Sequence, residues 1–164
     1  MRLFRPVLML LTLFYLASCG YHLRGEIELP SGLTGIYLKD ASPELRGAFG
    51  QALSGANTRI VDQPEQAGLV LAVLSERMNR RVLTLTNTGK ATEFELRYEL
   101  EYQVTDAQGK VLLDTQTLAL TRDYFNDQLA IIAKSGEEQV IARELYQRAV
   151  QQIISRAQAK MSGN

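Results

Sequence analysis

Apolar and polar residues alternate without a break along residues 93–104. Phe94, Leu96, Tyr98, Leu100, Tyr102 and Val104 interleave with Glu93, Glu95, Arg97, Glu99, Glu101 and Gln103. Successive side chains of a strand leave on opposite faces, so this period of two predicts a half-buried antiparallel strand with one apolar and one charged face. Asn87-Thr88-Gly89-Lys90 before it and Asp106-Ala107-Gln108-Gly109 after it are turn signals. Leu69–Leu74 is continuously apolar and runs with less pattern through Val82–Thr86, while Val111–Tyr124 is rich in Thr and Leu. These segments predict a meander of three long strands. Upstream, Ile36–Leu38 is a short strand candidate, and Ser42-Pro43-Glu44 has the cap, the proline and the acid of a helix start. Leu45, Ala48, Phe49, Ala52 and Leu53 then recur at spacings of three and four, predicting a helix over 43–54 that Gly55 ends. Downstream, Ser135 followed by Glu138 resembles a capping box, and Ala142, Leu145, Tyr146, Ala149, Val150, Ile153, Ile154 and Ala157 continue at helical spacing. A helix over about 137–158 follows. The order strand, helix, three strands, helix predicts an α+β fold, a four-stranded sheet with both helices packed on one face.

The first residues follow a different rule. Arg2 and Arg5 precede the apolar run Val7–Leu16, and the small residues Ala17 and Ser18 lead to Cys19, the only cysteine of the chain. A charged start, a short apolar middle and a small-residue exit describe a secretory signal peptide over 1–18. Ten apolar residues are too few for a spanning helix, which needs about 20. Leu16-Ala17-Ser18-Cys19 resembles the lipobox of bacterial lipoproteins, which implies cleavage before Cys19 and acylation of that residue. Three acyl chains exceed the two signals that stable membrane anchoring takes. The expected mature chain is a single domain over 19–164, with 19–30 as an extended leader from the membrane.

Composition narrows the chemistry. The 164 residues carry 18 basic and 18 acidic side chains, and loss of Arg2 and Arg5 leaves the mature chain slightly acidic. Nucleic-acid binding wants a basic surplus, so nucleic acid is not an expected partner. With Cys19 acylated no thiol remains, and His22 is the only histidine. Disulfides, thiolate metal sites and Ser/His/Asp triads are thereby set aside. No nucleophile elbow or phosphate-cradling glycine loop is present, so the chain reads as a non-enzyme that needs no cofactor or metal. Glu95 and Glu99 share a strand face and would suit a carboxylate pair, but Arg97 stands between them, and a charged outer face explains them more simply. The basic residues Arg77, Arg80, Arg81 and Lys90 gather toward the first hairpin of the meander, and Lys134 precedes the last helix. Arginine forks and lysine point charges suit anionic groups such as phosphates. Solvated charge that blunts a strand edge is the alternative.

Cys19-Gly20-Tyr21-His22-Leu23-Arg24-Gly25 resembles the mature N-terminus of the lipopolysaccharide-assembly lipoprotein family, LptE. Thr88–Phe94 is similar to the family's central hairpin, and Arg122–Asp127 and Glu144–Ala149 to its last strand end and final helix. The resemblance implies an outer-membrane lipoprotein on the periplasmic face, with two helices on a four-stranded sheet. It implies a plug inside the β-barrel LptD, which it helps to assemble, and binding of lipopolysaccharide on its way to the cell surface. It also implies lipopolysaccharide contact by basic residues at the hairpin tip and before the last helix. Lys134 matches the second position. Asn87 stands where the family has a hairpin arginine, so Lys90, Arg80 and Arg81 are the candidate replacements. Set beside this is a scaffolding or anion-binding lipoprotein of another envelope complex.

Overall fold

The computed structural model describes residues 35–125 and 131–162, without the side chains of 131–135 and 162. The expected signal peptide over 1–18, Cys19 and the expected leader over 19–30 lie outside the described residues. In chain order the elements are β1 (Gly35–Lys39), α1 (Pro43–Ala52), β2 (Arg59–Val61), a 3-10 turn (Pro64–Gln66), β3 (Leu69–Leu85), β4 (Ala91–Asp106), β5 (Val111–Phe125) and α2 (Ile131–Ser162). They form an α+β fold whose sheet has five strands in the order β2-β1-β3-β4-β5, not four. The additional strand, β2, is three residues long and too short to show a period.

The sheet is mixed. β1 pairs in parallel with β2 and with β3, while β3, β4 and β5 form the expected antiparallel meander. Helix α1 makes the crossover between β1 and β2. The chain then returns across β1 to start β3, and Gly35 makes room for this crossing. A Cβ on Gly35 would lie 2.8 Å from Val61 Cγ1 and 2.9 Å from the Gln66 carbonyl oxygen. The Gly68 N–H donates to the Gly35 carbonyl oxygen at 2.9 Å, closing the crossing.

Helix α1 begins as the sequence indicates. Ser42 is the N-cap, its Oγ accepting from the Leu45 N–H at 3.1 Å, and Pro43 occupies the first turn. It ends at Ala52, and Gly55 lies beyond it with φ 96°. Helix α2 differs from expectation. It starts at Ile131, so Ser135 lies inside it and the Ser135–Glu138 pair is no capping box. An apolar stretch before a serine and a glycine looks like a helix start in sequence, but the helix has already begun.

One apolar cluster holds the layers together. The even-numbered apolar residues of β4, Phe94 to Val104, face both helices and meet Leu45, Ala48 and Phe49 of α1 and Leu145, Ala149, Val150 and Ile153 of α2. Tyr98 and Tyr102 are completely buried, and the Tyr98 ring packs edge-on against Tyr146 at 4.7 Å. Strand β3 changes phase partway. Val73 pairs with Tyr102 and Ser75 with Glu101, so Leu74 is an extra residue in a β-bulge and stands half exposed. Before the bulge Leu69, Leu71 and Val73 face the helices; after it Glu76, Met78, Arg80 and Val82 do, judged from their partners Leu100, Tyr98, Leu96 and Phe94.

Two polar groups on the helix side are thereby forced into partnership. Glu76 accepts from the Ser42 N–H at 3.1 Å, from Ser42 Oγ at 2.7 Å and from the Tyr98 hydroxyl at 3.1 Å. A carboxylate at the positive end of α1 therefore also satisfies the one polar atom of a buried tyrosine. Burial first, and the nearby Glu76 charge second, hold the Tyr98 hydroxyl well above the usual tyrosine range.

Candidate functional site

The distal half of the β3–β4 hairpin carries most of the residues singled out by the sequence. Its turn is closed by hydrogen bonds from the Thr86 N–H to the Lys90 carbonyl at 2.7 Å and from the Gly89 N–H to the Thr86 carbonyl at 2.9 Å. Gly89 takes φ 78°, a conformation that costs glycine little. Thr86 Oγ1 accepts from the Lys90 N–H at 3.0 Å, and Thr84 Oγ1 donates to Glu93 at 2.6 Å. The tip is thus internally tied, yet all of residues 81–90 are exposed. Val82, Leu83 and Leu85 are 48%, 39% and 59% exposed, an apolar strip next to the exposed Lys90.

Adjacent strand residues must diverge, and Arg80 and Arg81 do. Arg80 lies on the helix face opposite Leu96, its guanidinium 4.9 Å from the centroid of Phe94 and 3.0 Å from Glu138 of α2. Tyr124 of β5 donates to the same Glu138 oxygen at 2.8 Å. Burial and then the bond to Glu138 push the Tyr124 hydroxyl up to about 12. Arg81 stands on the open face, where its Nε and Nη2 reach the two oxygens of Glu95 at 2.7 and 3.2 Å. Glu95 is buried, so the fork of Arg81 offsets the cost of removing this carboxylate from water. Arg77 shares the open face, opposite Glu99. The expected basic group is therefore split between the two faces of the sheet.

Lys134 falls in the first turn of α2, one helical turn before Glu138, and its side chain is outside the described residues. That spacing is about 6 Å along the helix axis. The helix segment bearing Lys134 thus adjoins the residue that Arg80 grips. Sequence reasoning missed two contributors here. Arg122 of β5 is opposite Leu96, so the row Arg80–Leu96–Arg122 crosses three strands on the helix face, and Arg122 is exposed. Its parity with the buried Tyr124 was the available signal. Glu138, read as a helix cap, instead ties β3, β5 and α2 together. A cleft of about 320 Å³ lined by Met78, Leu96, Glu138, Gln139 and Ala142 opens beside this tie.

Two arginines on the helix face, the exposed aliphatic residues beyond them and a lysine at the turn give this half of the hairpin both cationic and apolar surface. Known proteins give this end of the fold a context. The family model described as LptE, lipopolysaccharide-assembly, matches residues 33–157. The LPS-assembly lipoprotein LptE of Pectobacterium atrosepticum is 32% identical over 158 residues, covering 93% of this chain and 83% of that protein. The chain belongs to the LptE family. The LptE of Yersinia enterocolitica is 27% identical over 146 residues, covering 84% of this chain and 67% of that one. Among solved structures, the solution structure of lipoprotein B from Nitrosomonas europaea superposes with a TM-score of 0.70 at 27% identity, covering 87% of this chain and 93% of that one. The crystal structure of rare lipoprotein B from Shewanella oneidensis gives a TM-score of 0.63 at 26% identity, covering 80% and 98%. LptE membership makes the chain a non-enzymatic lipoprotein of lipopolysaccharide assembly, associated with the outer membrane. Among the described residues no helix is long and apolar enough to cross a membrane.

Proposed function

We propose that this chain, acylated at Cys19 and held at the periplasmic face of the outer membrane, plugs the LptD barrel, assists its assembly and binds lipopolysaccharide during delivery to the cell surface. The observation that carries the binding part is the hairpin end, where exposed Val82, Leu83 and Leu85 adjoin Lys90 and the Arg80–Arg122 row. A lipid bearing phosphates and acyl chains needs both kinds of surface. Lys90 and Lys134 supply unforked charge, and Arg80 reaches phosphate by exchanging its exposed bond to Glu138. Arg81 is the weaker member, since its fork is already engaged by a buried carboxylate.

The plug part is supported by the open face of the meander. Its Arg81–Glu95 and Arg97–Glu99 pairs balance charge within the sheet, a polar exterior suited to a polar barrel lumen. Mild detergent extraction from native membranes tests it, with mass analysis of what co-purifies. A large outer-membrane barrel is expected, and recovery of the chain alone defeats the plug reading. Lipopolysaccharide binding by the double variant Lys90→Asp, Lys134→Asp tests the site separately. Binding should weaken by roughly tenfold or more, and unchanged affinity removes these residues from the site.

A further inference from the structure

Two donors from different strands converge on one oxygen at the hairpin end of the helix face. Arg80 of β3 reaches Oε2 of Glu138 at 3.0 Å, and the Tyr124 hydroxyl of β5 donates to the same oxygen at 2.8 Å. Neither donor depends on Glu138 for its place. The Arg80 guanidinium lies over the ring of Phe94, 4.9 Å from its centroid, and the buried Tyr124 ring packs against the same Phe94 at 5.7 Å. Strand pairing fixes the rest, since Val82, Phe94 and Tyr124 share one row and Arg80, Leu96 and Arg122 the next. Arg122, two residues before Tyr124 on the same face, is exposed and about 10 Å across the sheet from Arg80. The position of Oε2 is thus a seat for an anionic oxygen, built on the sheet and filled by a side chain of α2.

We propose that Arg80 and Tyr124 together seat a lipid phosphomonoester, and that Glu138 is its built-in competitor, filling the seat until the phosphate displaces it. This rests on the lipopolysaccharide-binding reading above, and adds Tyr124 as a ligand and Glu138 as the residue that sets affinity. Side-chain exposure is 32% for Glu138 and 48% for Arg80, so an incoming anion can reach their ion pair. An ion pair this open to water is weak and is broken at little cost. A phosphomonoester carries a charge of about −1.5 to −2 and three acceptor oxygens, against one charge and two oxygens on the carboxylate. One phosphate oxygen accepts from both Arg80 and Tyr124, which leaves the others for water or Arg122. The cleft lined by Met78, Leu96 and Ala142 lies beside Glu138 and gives the carbons next to the phosphate apolar cover. When the phosphate leaves, Glu138 returns, and the hydroxyl of the buried Tyr124 is never left without an acceptor. Release is therefore as well provided for as binding, which suits a protein that hands its lipid on.

The test is a direct titration of the full chain, in mild detergent, with purified lipopolysaccharide and with the same lipopolysaccharide after enzymatic dephosphorylation. Glu138→Gln should bind the phosphorylated form roughly three- to tenfold tighter than the parent. Glu138→Asp keeps the charge but draws the carboxylate back by one methylene, and it too should bind tighter. That variant separates competition for the seat from net charge, and it serves if Glu138→Gln fails to fold. Glu137→Gln makes the same charge change on an exposed neighbour and should stay within about twofold. Tyr124→Phe should weaken binding roughly threefold or more. All these differences should vanish on the dephosphorylated lipid. Unchanged or weaker binding by both Glu138 variants overturns the proposal. So does an equal gain in Glu137→Gln, which reduces the effect to long-range charge. Inorganic phosphate, titrated alone, separates this inference from the delivery reading. If the parent binds no lipopolysaccharide, the delivery reading falls; tighter phosphate binding by Glu138→Gln then keeps the seat as a free-phosphate site, and no phosphate response removes it as well. If lipopolysaccharide binds and the Glu138 variants match the parent, delivery stands and the competitor falls.

Discussion

Removing the Glu76 carboxylate should cost far more than an ordinary exposed acid on a strand. In Glu76→Ala the Tyr98 hydroxyl, on a side chain with no exposed surface, loses its acceptor. A buried hydroxyl left without a partner costs about 1–3 kcal/mol. The N-terminus of α1 also loses an anion, worth about 0.3–1 kcal/mol, although Ser42 keeps its own capping bond to the Leu45 N–H. The expected total is about 1–4 kcal/mol. With a urea slope of about 2 kcal/mol/M, that lowers the unfolding midpoint by roughly 0.5–2 M. Glu76→Gln keeps an acceptor and loses only charge, so about 1 kcal/mol is expected. Tyr98→Phe should also cost about 1 kcal/mol, because it removes the donor and leaves Glu76 its two bonds to Ser42. The double variant Glu76→Ala, Tyr98→Phe should then be more stable than the sum of the single effects by about 1–2 kcal/mol, since no hydroxyl is stranded. A Glu76→Ala midpoint indistinguishable from the parent, or strict additivity in the double variant, refutes the reasoning.

Gly35→Ala should lower the melting temperature, because its Cβ meets the Gln66 carbonyl oxygen at 2.9 Å and the crossing over β1 must move; about 1–3 kcal/mol is the scale. Gly47→Ala in α1 meets nothing within 4 Å and should instead stabilise by about 0.5–1 kcal/mol in the same assay. Tyr124, pushed up to about 12, keeps its proton when folded at a pH where the unfolded chain has lost it. Stability from this group is therefore complete below the ordinary tyrosine value of 10.0 and is lost as pH rises toward about 12. Urea midpoints measured across that range should fall less steeply in Tyr124→Phe. Arg122→Glu should weaken lipopolysaccharide binding roughly tenfold, while Arg77→Gln, on the other face, should stay within about twofold in a direct binding titration.

The meander and the start of α1 were legible because each rests on local rules. The alternation from Phe94 to Val104 places its own faces, and Ser42-Pro43 combines a cap with a residue suited only to the first turn. Strand β2 escaped because three residues next to a parallel neighbour leave no pattern. The start of α2 was misplaced because Ser135 and Gly136 mimic a beginning inside a helix held by tertiary packing. In the candidate site, Lys90 at the hairpin turn could be placed from sequence. The separation of Arg80 from Arg81 also follows from strand geometry, since neighbours cannot share a face. The tie of Arg80 and Tyr124 to Glu138 could not be read, because it joins residues 58 and 14 positions apart through the packing of three elements. Cys19 and the side chain of Lys134 lie outside the described residues.

At the Leu74 bulge β3 carries one residue more than its ladder with β4 uses. Removing Leu74 itself would bring Val73 and Ser75 into ordinary succession opposite Tyr102 and Glu101, with every later partner unchanged. Removing any one residue from 75–81 would force a choice: part of the strand turns over, or the slack at Leu74 is taken up and the residues between slide by one. In the second case Glu76 leaves Ser42 and Tyr98. The strand therefore tolerates shortening at its bulges, at Leu74 beside the group that anchors α1 and again at Leu83 near the hairpin tip, and a length polymorphism in β3 that spares the fold should map to one of the two.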